Sequence, residues 1–143
     1  MRWDPASVIV VDVAPTQVTF LDPGGAPVVL APVVYLTPPG SRIKVLAVGT
    51  PPAAGVPAVA VHVFSDDGPP TGVSKFDCLA ALMTQALKTI LGRSLFRTRP
   101  EVLVRGAETV AQILGPYHRD LLAAALRQGG AKRVRWPEEF TGE

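Results

Sequence analysis

The hydrophobic period of this chain changes at Ser74, and that change limits the folds open to it. Before Ser74, β-branched runs are cut short by proline and glycine. After it, Phe76, Leu79, Ala80, Leu82, Met83, Ala86, Leu87 and Ile90 recur at steps of three and four, the stripe of an amphipathic helix. Ser74 supplies an N-cap for that helix and Gly92 a stop. Upstream, residues 7–13 (SVIVVDV) read as a buried strand. Residues 17–21 (QVTFL) follow as its hairpin partner across Ala14-Pro15-Thr16, and 28–36 as a third strand beyond the Asp22-Pro23-Gly24-Gly25 turn. Residues 43–48 and 58–64 are further strands, separated by the Pro/Gly-rich loop 49–57. Downstream come a strand at 101–105 (EVLVR), a short helix at 107–114, a longer helix opening at Gly115-Pro116 and running through Gln128, and a last strand at 132–136. Right-handed crossovers place the last two strands parallel to the first. The expected fold class is α/β: a mixed sheet of about five strands with flanking helices.

With 143 residues, 48% of them apolar and 18% charged, the chain is long enough for one well-packed core and short for two, so one domain over 1–143 is expected. A formal charge of +2 points to neither a nucleic-acid binder nor a membrane protein. Lys88, Arg93, Arg97, Arg99 and Arg105 form one basic stretch and Arg127, Lys132, Arg133 and Arg135 another; both read as solvated helix ends and loops. The single cysteine, Cys78, falls inside the apolar helix and reads as a buried structural thiol, which fits a reducing, intracellular compartment. No apolar run is long enough to cross a bilayer, and Arg2 and Trp3 offer at most a small interfacial anchor.

Several segments, taken in order, carry a resemblance to a known family. The opening IVVDVAPTQVTFLDPGGAPVVLAPVVYL, then LAVG at 46–49, VFSDDG to KFD over 63–77, RPEVLVRG at 99–106 and AALRQGGAKRVRWPEE at 124–139 resemble the first half of MreB and related actin-like ATPases. The resemblance implies a ribonuclease H-like, actin-like half domain in which 49–72 is a shortened Pro/Gly-rich insertion. It implies a place in a bacterial actin-like cytoskeleton tied to cell shape or cell-wall synthesis. Self-association or an MreB-like filament protein is the implied partner, without nucleic acid. The implied location is the cytoplasm, peripheral to the inner membrane face.

Where the family has a glycine-rich phosphate hairpin, this chain has Ala14-Pro15, which removes one N–H donor and fills space. Asp12 stands where the family keeps an aspartate near the metal ion, and Thr16 and Gln17 offer polar contacts, so these three are the vestigial nucleotide-binding residues. On the residues alone, Asp12 reads first as a carboxylate capping the turn after a strand. Glu108, near the place of a water-activating glutamate, reads as a solvated first-turn residue. The second phosphate hairpin and adenosine pocket have no counterpart in the sequence. The expectation is therefore a nucleotide-independent interaction or scaffolding module, without catalytic or metal residues and without a cofactor. The alternative is an ATP/Mg-binding protein that completes its cleft by dimerisation or with a partner. A nuclease reading would gather Asp12, Asp66, Asp67, Asp77 and Glu108 on two Mg²⁺ ions and ranks third. His62, in a strand, and His118, in a helical first turn, lack a nucleophile beside them.

Overall fold

In the computed structural model the described residues are 8–23, 25–40, 42–65, 72–92 and 99–140. Strands β1 (Val8–Ala14), β2 (Gln17–Leu21) and β3 (Val28–Leu30) form an antiparallel meander. Two later strands, β7 (Glu101–Arg105) and β8 (Arg133–Arg135), extend it on the other side of β1, both parallel. The five-stranded order is β3-β2-β1-β7-β8, the mixed α/β sheet that the run of elements predicts. The first strand of the chain is thus its centre.

The expected third strand over 28–36 is broken, and the break creates a second sheet. Pro32 has no N–H to give a ladder, and Val33 N–H folds back onto the Ala31 carbonyl at 2.8 Å, a three-residue turn. Beyond it, β4 (Val33–Leu36) leaves the first sheet. It becomes the middle strand between β5 (Val45–Val48) and β6 (Val59–His62), antiparallel to both. The Pro32 carbonyl accepts from Val63 N–H at 2.8 Å, so the turn is also where the second sheet is anchored. Among the described residues of 49–72 there is one strand, the edge strand β6, with the loop that leads to it; Asp66 and Asp67 lie outside the described residues.

Helix α1 (Lys75–Leu91) begins as the sequence predicts. Asp77 N–H donates to Ser74 Oγ at 3.0 Å and Ser74 N–H to Asp77 Oδ2 at 3.4 Å, a reciprocal capping box that satisfies two otherwise orphaned donors. Its stripe, Leu79, Leu82, Met83, Ala86, Leu87 and Ile90, is buried. After β7, the 107–114 segment is a 3₁₀ turn (Ala107–Val110) followed by a one-turn helix α2 (Ala111–Leu114). Helix α3 (His118–Gln128) starts two residues later than a first helical position at Pro116 suggests. Gly115 sits at φ 90°, ψ −169°, outside any helical region, and His118 N–H closes a turn on its carbonyl at 3.1 Å.

α1 and α3 pack on each other, and from β1 only Ile9, Val11 and Val13 join their core; Val8, Val10 and Asp12 point the other way. Val18 and Phe20 of β2, Val102 and Val104 of β7, and Val34 and Leu36 of β4 enter the same cluster, so both sheets share one core. The opposite face of the larger sheet mixes polar and apolar residues, with Val10 beside Leu103 and Asp12 beside Thr19 and Arg105. No helix among the described residues is long and apolar enough to cross a membrane.

Candidate functional site

The row of side chains at the far end of β1 is fixed by strand register. Asp12 stands opposite Thr19 on β2 and opposite Arg105 on β7, so Thr19, Asp12 and Arg105 lie side by side on the face turned away from the helices. Gln17, two residues from Thr19, shares that face and donates from Nε2 to Thr19 Oγ1 at 3.1 Å.

Arg105 grips both oxygens of Asp12: Nε donates to Oδ1 at 2.6 Å and Nη2 to Oδ2 at 2.7 Å, a fork on a carboxylate. Asp12 is therefore no turn cap, which corrects the reading from residue type; its place inside the strand aims it across the sheet. Hydrogen bonding to Asp12 raises the Arg105 guanidinium above its ordinary range. With side chains 49% and 40% exposed, the pair contributes only about 0–1 kcal/mol to stability.

The hairpin beyond Asp12 closes with Ala14 opposite Gln17, leaving Pro15 and Thr16 as its two turn residues, both exposed. No non-glycine residue described has a positive φ, so this turn is neither of the two forms that favour two-residue hairpins, both of which need a positive φ at the first turn position. Pro15 presents no N–H. Asp12, Thr16 and Gln17 thus do not form a phosphate or metal cradle: one carboxylate is held by a guanidinium, one amide bonds to Thr19, and the hydroxyl sits at an exposed turn. Among the described residues, no three His, Cys, Asp or Glu side chains come together.

Below the hairpin, Gly106 adopts φ 78° and ψ 14° and lies directly under β1. Thr109 Oγ1 donates to the Val13 carbonyl at 3.1 Å while lying 2.6 Å from the Gly106 carbonyl, so the turn after β7 is latched to the end of β1.

Glu108 is exposed, as its type suggests, and belongs to a separate cluster around Arg119. That guanidinium hydrogen-bonds Glu138 through Nη1 and Glu108 through Nη2 (3.0 Å), and lies 4.7 Å from the centre of the Trp136 ring. It ties the 3₁₀ turn, α3 and the terminal 3₁₀ segment Pro137–Phe140 together. Glu108 lies below the ordinary glutamate range because of its own backbone N–H first and Arg119 second; Glu138 is lowered by Arg119 first. Carboxylates lowered in the folded state add stability that is complete above their unfolded pKa and lost as pH falls through the folded values. The melting temperature should therefore drop on acidification below about pH 4.3, and Arg119→Gln should flatten part of that slope, read from thermal melts between about pH 6 and 3. Equal slopes for both proteins would show that Arg119 is not the cause.

Asp77 is spent in the α1 cap, His62 lies on β6, and His118 opens α3 with Nδ1 3.2 Å from the Gly115 carbonyl. Cys78 is buried, and burial, with the charge of Asp77 second, pushes its thiol up and away from nucleophilic use. Arg2, Trp3, Arg93 and Arg97 lie outside the described residues.

Reading by residue type missed Arg105, which passed for one more solvated cation. Aligning the apolar runs of β1 and β7 as parallel neighbours sets Asp12 beside it. Comparison with protein-family models and with curated proteins finds no match to this chain.

Proposed function

We propose that this chain is a nucleotide-independent interaction or scaffolding component of a bacterial actin-like cytoskeleton, of the ribonuclease H-like half-domain type, working in cell shape or cell-wall synthesis. The strand order β3-β2-β1-β7-β8, with three antiparallel strands followed by two parallel ones, supports the ribonuclease H-like reading. The observation that carries nucleotide independence is the Arg105 fork on Asp12. An aspartate serving a magnesium ion directly or through water needs free oxygen lone pairs. Here a tethered cation takes a lone pair on each oxygen and offsets the carboxylate's charge, which weakens its pull on a metal ion, and Pro15 withdraws a backbone donor from the adjoining turn. The chain's part in such an assembly is to present surfaces: an MreB-like filament protein or a second copy is the partner class.

Titration of a labelled ATP analogue with Mg²⁺ into the purified chain, with light scattering for its mass, tests this. The expected result is no saturable binding tighter than about 1 mM, together with a defined mass. Binding at micromolar concentration, lost in Asp12→Asn, would overturn the proposal and favour a nucleotide cleft completed by a partner.

A further inference from the structure

We infer that the open edge of β5 is a docking site for an extended, acidic peptide strand of a partner protein whose apolar side chains alternate with its carboxylates. The inference rests on reading the chain as an interaction module. Among the described residues, β5 ends its sheet, with β4 on one side and no strand on the other. The segment leading into it is already held extended along β4. Thr37 Oγ1 donates to the Arg42 carbonyl at 2.9 Å and accepts from Lys44 N–H at 3.0 Å, while Thr37 N–H donates to the Lys44 carbonyl at 3.0 Å. A pre-extended edge lowers the ordering cost of adding a strand.

From Arg42 to Val45 the side chains along this edge alternate in chemistry, up to Leu46, where the register of β5 on β4 shifts. Ile43 and Val45 are 43% and 50% exposed and form the lip of a cavity of 260 Å³, whose lining also includes Leu36, Val73, Cys78 and the carboxylate of Asp77, which favours an uncharged side chain there. That volume is below the roughly 300 Å³ at which small-molecule pockets begin, and it suits a single apolar side chain from a neighbouring strand. Arg42 and Lys44, also exposed, fall on the alternate positions, and no ion pair of theirs is formed among the described residues. An added strand places its residues beside these, so carboxylates facing Arg42 and Lys44, and aliphatic groups facing Ile43 and Val45, match both rows at once.

The same features disfavour other occupants. A second copy would bring its own Arg42 and Lys44 to the seam, and like-charged edges repel. An anionic bilayer would satisfy the cations and the apolar lip, but the free N–H and C=O groups of a strand edge find no partners in hydrocarbon.

The test is fluorescence anisotropy of an end-blocked, labelled peptide of about eight alternating Glu and Val residues, with a Lys and Val counterpart and phosphatidylglycerol vesicles as comparisons. The acidic peptide should bind and the basic one should not. The exposed double variant Arg42→Glu/Lys44→Glu should weaken the acidic peptide by about tenfold or more and gain the basic one. Val45→Thr, which keeps a strand-forming residue, should weaken binding with the charges intact. The site is overturned if the acidic peptide does not bind, if it binds the double variant equally, or if vesicles bind and the peptide does not. The ATP-analogue titration is independent of these results, so loss of peptide binding with no nucleotide bound removes the β5 site and leaves the nucleotide-independent reading standing.

Discussion

Gly106→Ala is expected to destabilise the folded chain by about 3 kcal/mol in equilibrium urea unfolding. Two costs add at this position. At φ 78° a side chain meets the left-handed penalty, about 1–2 kcal/mol. Its Cβ would also sit 2.4 Å from the Val13 carbonyl oxygen, a backbone atom of the central strand that has no rotamer by which to withdraw. Either β1 or the turn after β7 must shift, and the Thr109 bond to the same carbonyl would stretch with it. Gly55→Ala separates the two costs, because Gly55 has φ 86° with nothing within 4 Å of the added carbon. It should lose only the conformational part, about 1–2 kcal/mol. If the two variants prove equally stable, the close approach of Gly106 to β1 is not a constraint on the fold.

Phe20→Ala should cost more, about 3–5 kcal/mol, out of the 5–15 kcal/mol by which domains of this size are usually stable. Phe20 is fully buried on β2, opposite Val11 of β1 and Val28 of β3, and belongs to the core shared with α1 and α3. Removing its ring leaves a void that strands pinned on both sides cannot collapse to fill. Phe20→Leu keeps most of the volume and should recover more than half of the loss. Urea midpoints at unchanged slope give both values. A loss under about 1 kcal/mol for the alanine variant would mean that β2 does not close the core.

The strands of the larger sheet were legible because their β-branched runs are local signals, and α1 because its stripe and its Ser74–Asp77 box are as well. The second sheet was not, since pairing of β4 with β6 joins residues 33–36 to 59–62 through a proline-rich loop whose path no local pattern gives. Pro32 did mark the break between β3 and β4. A valine-rich run on either side outweighed it in the reading, whereas the missing N–H decides it in the molecule. The start of α3 was misplaced because proline after glycine suits both a first helical turn and the approach to one. At the candidate site, the residue types of Asp12 and Gln17 were visible, but what occupies them was not. Thr19 and Arg105 become their neighbours only through register, and Arg105 does so across 93 positions of sequence.

That separation also governs how the chain assembles. The β1–β3 meander is made of near neighbours and can form on the time scale of hairpins, about 1–10 μs. β1 remains without its parallel neighbour until β7 arrives, after a second sheet and a 17-residue helix have been traversed. Closing so long a loop spends chain entropy before the contact returns any stability, so the larger sheet is completed late and slowly for its size. Until then the inner edge of β1, the most apolar strand of the meander, stands open. During synthesis the half-built sheet is exposed to pairing with other chains for as long as it takes to deliver residues 101–105.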